Sequence, residues 1–279
     1  MSYTHAPTPA ALDAAGLLRH HDAGTPWPEP QAPHIPGGLR GAYDLALQVR
    51  ALRVARGEQP RGLKIGFTNR GIWARYNVFA PIWGTVYDSG LSHSGPDGHG
   101  VLSLAGTCQP RIEPEAVFGL RRDVSATDGL DALFDAIDWV APGFEVVQSH
   151  LPGWVFEAAD TVADGALHAR LLVGRPVPVR SVAPDAAGLQ AALAACRVRL
   201  QRDGRTIDEG CGSAVLDDPL SALRHVVQAL ADQPGAPTLR AGDVITTGTW
   251  TDAWPVEPGQ TWQADFDAPL TPLTVRFTA

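Results

Sequence analysis

"RIEPEAVFGL", residues 111–120, sets Glu113 and Glu115 two positions apart inside a stretch that otherwise reads as a buried strand. Side chains at i and i+2 of a strand leave from the same face, so the two carboxylates are aimed at one place. On a solvent face such a pair is ordinary. On an inner face two negative charges need a cation or a proton between them. The spacing by itself leaves both cases open.

Outward from this segment the chain is a series of short, glycine-punctuated apolar runs. They fall at about 62–68, 78–87, 100–107, 111–120, 139–148, 167–179, 195–211, 243–248, 260–267 and 271–278. Many such runs with few helices predict a mainly β architecture. Helical periodicity is clear over 39–57, 128–140 and 217–233, the last two opened by aspartate as a cap. "TPWPEPQAPHIPGG" near the start reads as an extended proline-rich arm. The expected organisation is an N-terminal arm and helical segment over residues 1–60, then one β-rich domain over 61–279.

Composition narrows the classes. With 44% hydrophobic and 19% charged residues in 279, the chain can bury a large core. A net charge of −8 argues against a nucleic-acid surface and suits a protein that handles small molecules. No apolar run reaches the roughly 18 residues of a membrane span, and the N-terminus lacks the pattern of a secretory signal. Cys108, Cys196 and Cys211 are too few and scattered for a disulfide framework or a zinc site. The chain reads as cytoplasmic.

Of the 22 basic side chains 21 are arginine, and Lys64 is the single lysine. Lysine can exchange a proton when buried, whereas guanidinium stays charged. Its surroundings, "GLKIGFTN", read as a glycine-flanked strand rather than a solvated face. Glu145 interrupts another apolar run, just after the turn signal Pro142-Gly143. Glu113, Glu115 and Glu145 together offer three oxygen donors, a set suited to a hard divalent cation such as Mg²⁺ or Mn²⁺. His93 and His99 lie in the loop-like "SHSGPDGHG", and His20 and His21 beside the arm read as solvated. The aromatic group Trp73, Tyr76, Phe79 and Trp83 either packs the core or walls a pocket, and packing is the expected use.

In order along the chain stand "GLKIGFTN", "EPEAVFGL", "GFEVVQSH", "AADTVADGALHARLLVG" and "GDVITTGT". The set resembles the hydratase/decarboxylase branch of the fumarylacetoacetate hydrolase superfamily, typified by 2-keto-4-pentenoate hydratase and 4-oxalocrotonate decarboxylase. The resemblance implies an α+β, mixed β-roll fold with Mg²⁺ or Mn²⁺ held by Glu113, Glu115 and Glu145. It also implies Lys64 as the acid/base, a small-molecule 2-oxo acid as substrate, and a homo-oligomer. Asp164, His168 and Thr249 are the expected substrate-pocket residues.

The chain departs from that branch in two places. Ile82, in "APIWG", stands where hydratases of this branch usually carry an acid, and "ADGAL" puts Gly165 and Leu167 where a polar pair is common, with His168 close by. The expected activity is hydration of a 2-hydroxypenta-2,4-dienoate-type substrate. Decarboxylation, acylpyruvate C–C hydrolysis and a non-catalytic metabolite-binding role are the alternatives.

Overall fold

The computed structural model describes residues 13–28, 35, 37–76 and 79–279. Much of the proline-rich arm therefore lies outside the described residues. The strands are β1 (Pro60–Gly66), β2 (Ile82–Tyr87), β3 (Leu91–His93), β4 (His99–Ser103), β5 (Arg111–Leu120), β6 (Ile137–Val147) and β7 (His168–Val173). They continue with β8 (Val177–Pro178), β9 (Arg197–Arg202), β10 (Arg205–Cys211), β11 (Val244–Thr246), β12 (Trp254–Pro255), β13 (Thr261–Phe266) and β14 (Leu273–Thr278). One sheet runs β2-β1-β11-β5-β6-β7-β3, with β12 added to β5 and β8 to β6; the other runs β10-β9-β13-β14-β4. The mainly β content is what the apolar runs predicted, and the α+β roll is what the resemblance implied.

Hydrophobic burial holds the two sheets together. Phe118 and Phe144 from the first sheet and Trp262 and Phe277 from the second are fully or almost fully buried in one cluster. Each such side chain contributes about 1.5–3 kcal/mol. The N-terminal helices Ala14–Ala23 and Gly38–Ala55 cover a smaller cluster that includes Ile82, Leu151, Val162 and Ala166.

Three features of the chain differ from the sequence expectation. The helix expected over 128–140 spans only Leu130–Ala136, and β6 takes over at Ile137. Asp128 does not cap it: its carboxylate accepts from Ser125 N and Arg122, and Gly129 is the N-cap. Asp218, by contrast, does cap Pro219–Asp232, accepting from Ser221 N at 2.9 Å. The apolar run 195–211 is a hairpin that turns at Asp203-Gly204. The helix Ala186–Ala195 was not foreseen, because its alanine-rich sequence has little periodic contrast.

Pro114 sits in the middle of β5, where a proline ordinarily breaks pairing. Its carbonyl accepts from Trp250 N at 3.1 Å, so the position of its missing N–H faces the same side. On that side β11 covers only Val117–Gly119 of β5 and β12 only Arg111–Ile112. Pro114 thus lies at a local edge, and residues 247–253 cross the gap. That gap is where the sheet opens to the site.

A candidate metal centre beside a buried lysine

The antiparallel pairing of β5 and β6 sets Glu113 directly opposite Glu145, while Glu115 faces Gly143. Directly opposed residues share a face, so the third carboxylate joins the two that spacing had already aligned. One oxygen from each of the three lies within 4.8 Å of the others. Glu115 and Glu145 are fully buried.

Each buried carboxylate is held from behind. Glu115 Oε2 accepts from the Thr246 hydroxyl and from Gly248 N at 2.8 Å. Glu145 Oε1 meets His168 Nδ1 at 2.6 Å. Glu145 Oε2 lies 3.4 Å from Lys64 Nζ, and Glu115 Oε1 has no hydrogen-bond partner. Gly248 has φ of +102°, and a Cβ there would come within 2.1 Å of Thr68 Oγ1, so only glycine brings its N–H to Glu115.

Lys64 arrives by strand pairing: β1 runs parallel to β11 with Lys64 beside Thr246. It is 4% exposed. Burial lowers its pKa, but attraction to Glu145, then Glu113 and Glu115, outweighs burial and leaves it raised. The carboxylates move the other way. Burial raises Glu113 to about 8, opposed by Lys64 and assisted by Glu145 and Glu115. Burial raises Glu115 well above its ordinary value and Glu145 above its own. The trio therefore holds protons or a cation near neutral pH. Oxygen donors, a shared focus and an orphaned carboxylate oxygen fit a hard divalent cation.

A cavity of about 260 Å³ opens over Lys64 and Glu113. Its walls near the lysine are apolar: Ile82, Phe67, Val147, Ala166 and Leu167. Thr249 lines it too, although its hydroxyl donates to Thr251 O at 3.0 Å and accepts from Thr251 N. Ala166 and Leu167 both have left-handed backbone, with φ of 56° and 65°.

Asp164 and His168 do not line this cavity. Asp164 binds His150, accepting from its backbone N at 2.9 Å and lying 2.6 Å from its Nδ1. His168 stands behind Glu145. Burial, then Lys64, holds its pKa well below the ordinary value, so it is a neutral ring that donates from Nδ1 to the carboxylate. His21 is half-buried, its ring 5.8 Å from that of the fully buried His150. His93 and His99 are exposed at strand ends away from the cavity. Trp83 is core, stacked on Tyr43, whereas Phe79 is 74% exposed; the Tyr76 side chain lies outside what is described.

Sequence reasoning missed Thr246, Gly248 and the His150–Asp164 pair. It also missed Arg111 and Trp154 at the outer end of the cavity, although Arg111 stands at i−2 from Glu113 and so shares its face.

A β-roll that gathers three carboxylates and a buried lysine under an apolar-walled cavity defines a class of metal-dependent enzymes of small organic acids. Residues 85–277 match the profile described as fumarylacetoacetate (FAA) hydrolase C-terminal, and the chain belongs to that family. It is 34% identical to 2-hydroxyhexa-2,4-dienoate hydratase of Comamonas testosteroni, over 79% of this chain and 80% of the relative. It is 32% identical to 2-keto-4-pentenoate hydratase of Burkholderia vietnamiensis, over 91% and 92% of the two chains. The fold superposes on 4-oxalocrotonate decarboxylase from Pseudomonas putida G7, complexed with magnesium and adipate, with a TM-score of 0.83 and 26% identity over 95% of each chain.

Proposed function

We propose that this protein is a divalent-metal-dependent lyase of 2-oxo and 2-hydroxydienoic acids, hydrating a 2-hydroxypenta-2,4-dienoate-type substrate. The focus of Glu113, Glu115 and Glu145 beside Lys64 is the observation that carries the reading. The three glutamates would hold Mg²⁺ or Mn²⁺, and His168, Thr246 and Gly248 orient two of them. When bound, the cation supplies an electrophile for the carboxylate and 2-oxo oxygens of the substrate. Lys64 holds a proton at Nζ, within an apolar wall, and delivers it to the dienol carbon framework or takes it back. Residues 61–279 form the catalytic unit, with the helices Ala14–Ala23 and Gly38–Ala55 packed on it, and the active form is a homo-oligomer.

Decarboxylation is the second reading, favoured by Ile82 and Leu167. Loss of CO₂ needs no delivered water, and the wall positions at Ile82 and Leu167 are apolar. Turnover of 2-hydroxypenta-2,4-dienoate by metal-stripped protein, with and without Mg²⁺ or Mn²⁺, tests the primary reading. Metal-dependent loss of the dienol absorbance with a hydrated product, abolished in Lys64→Ala, is expected. Persistence of the dienol while 4-oxalocrotonate releases CO₂ would replace hydration with decarboxylation. Inertness towards both acids in the metal-loaded protein would leave the non-catalytic role.

A further inference from the structure

His168 lines a second cavity, distinct from the one over Lys64. This space is small, about 50 Å³, and lies between the N-terminal helices, which contribute Leu17, Leu47 and Arg50, and the strand β2, which contributes Trp83. The His168 ring reaches Glu145 through Nδ1, at 2.6 Å, so it stands between a carboxylate of the metal centre and this inner space.

The walls carry buried polar atoms that the protein does not match. His168 Nε2, Trp83 Nε1 and Arg50 Nε have no hydrogen-bond partner among the described residues, and nor does His21 Nδ1, which lies 3.9 Å from Asp22 Oδ1. His168 and Trp83 are only 7% and 3% exposed. Neither is loosely placed. The Trp83 ring stacks on Tyr43 with centres 4.6 Å apart, and its backbone N–H donates to the Tyr43 hydroxyl at 3.2 Å. Arg53, the other guanidinium on the wall, is committed: it donates to Glu58 at 2.5 Å and to His21 Nε2 at 3.3 Å, and lies 3.8 Å over the Tyr87 ring.

Buried donors and acceptors are costly to leave unmatched. With Nδ1 donating to Glu145, His168 Nε2 accepts, whereas the indole and guanidinium N–H groups donate. Such a set calls for a molecule that gives and takes hydrogen bonds alike, which excludes a metal ion or a simple anion and fits water. A buried water needs about 10–15 Å³ and makes about three hydrogen bonds, so the cavity has room for about three or four.

We infer that this cavity is a hydrated chamber whose bound water, held by Trp83 and Arg50, fixes the His168 ring and through it the metal ligand Glu145. Water donating to Nε2 locks the tautomer that presents N–H to the carboxylate, and hydrogen bonds in a chain strengthen one another. Trp83 and Arg50 are therefore positioning residues, and the helix Gly38–Ala55 takes part in building the metal centre. This inference rests on the proposed function, in which Glu145 holds the cation.

The test uses the full-length protein. Long-held waters are counted by ¹⁷O relaxation dispersion in Mg²⁺, and the His168 ring nitrogens are followed in ¹⁵N spectra, assigned by the resonances missing from His168→Leu. Ala46→Leu, on the chamber wall, should remove about three held waters. Trp83→Phe and Arg50→Met should shift the Nε2 resonance and weaken Mn²⁺ binding about three- to tenfold by calorimetry, less than the loss of a direct partner of the ligand. Thermal melts check folding, and Arg50→Met, on a half-buried helix position, carries the test should either other variant not fold. A water count unchanged by Ala46→Leu would overturn the chamber. An unmoved Nε2 resonance, or an unchanged Mn²⁺ affinity, in Trp83→Phe and Arg50→Met alike would overturn the positioning role. Unaltered protein that does not bind Mn²⁺, or binds it no more tightly than Glu113→Gln, would overturn the glutamate metal centre and the link to it, whatever the chamber holds.

Discussion

Removing metal should make this fold prefer acid. Glu113 carries a pKa of about 8 in place of 4.5, because burial and its two carboxylate neighbours outweigh Lys64. Between those values the folded protein keeps a proton that the unfolded chain has released. Stability therefore falls as pH rises through the window, by about 1.4 kcal/mol per pH unit for one such proton. Over the whole interval the loss is about 5 kcal/mol, a ceiling, because Glu113 is only partly buried at the cavity floor. Glu115 and Glu145 shift the same way and steepen the slope, whereas His168, whose pKa is held well below its unfolded value of 6.5, opposes it below that pH. The assay is urea unfolding followed by tryptophan fluorescence, in chelator, from about pH 5 to pH 8. Added Mn²⁺ should restore most stability at the alkaline end, since it needs the deprotonated ligands. Glu113→Gln should flatten the metal-free profile and weaken the Mn²⁺ response. A flat profile in the unaltered, metal-free protein would refute the mutual burial of the three carboxylates.

Three further outcomes follow from the same geometry. Lys64→Met should reduce turnover by at least about a hundredfold, the usual worth of a positioned acid/base, while Mn²⁺ still binds by calorimetry. His168→Leu leaves Glu145 Oε1 without its donor, and Mn²⁺ affinity should drop about 10- to 100-fold, as for other groups that orient metal ligands. Gly248→Ala forces a left-handed alanine and a Cβ against Thr68. Its thermal unfolding should report about 2–5 kcal/mol of lost stability, and an unchanged melting temperature would contradict the close approach.

The candidate site was partly legible because two of its rules are local. Glu113 and Glu115 share a face by the period of a strand, and Lys64 stood out as the single lysine in an apolar, glycine-flanked run. The contacts of Asp164 and His168 were not legible in the sequence: the first side chain binds His150 and the second Glu145, and neither lines the cavity over Lys64. Residues near one another in the chain could not reveal that the segment between them, Gly165–Leu167, bends through three left-handed positions. Helix boundaries failed where alanine blurs periodicity, at Ala186–Ala195, and where a strand begins without a break, at Ile137.

By itself the sequence determined a mainly β chain, the pairing of two carboxylates on one face of β5, and a lysine set apart for burial. These follow from strand period, hydrophobic patterning and side-chain chemistry, which act over a few residues. Only the tertiary structure decided that Glu145 lies opposite Glu113 rather than one residue along, which would have turned it to the other face. It likewise decided that a parallel strand from the far end of the chain brings Thr246 between Lys64 and Glu115, and that Arg111 lies on Trp154 at the outer end of the cavity. Register and long-range pairing are set by the whole core at once, and no local stretch of sequence specifies them.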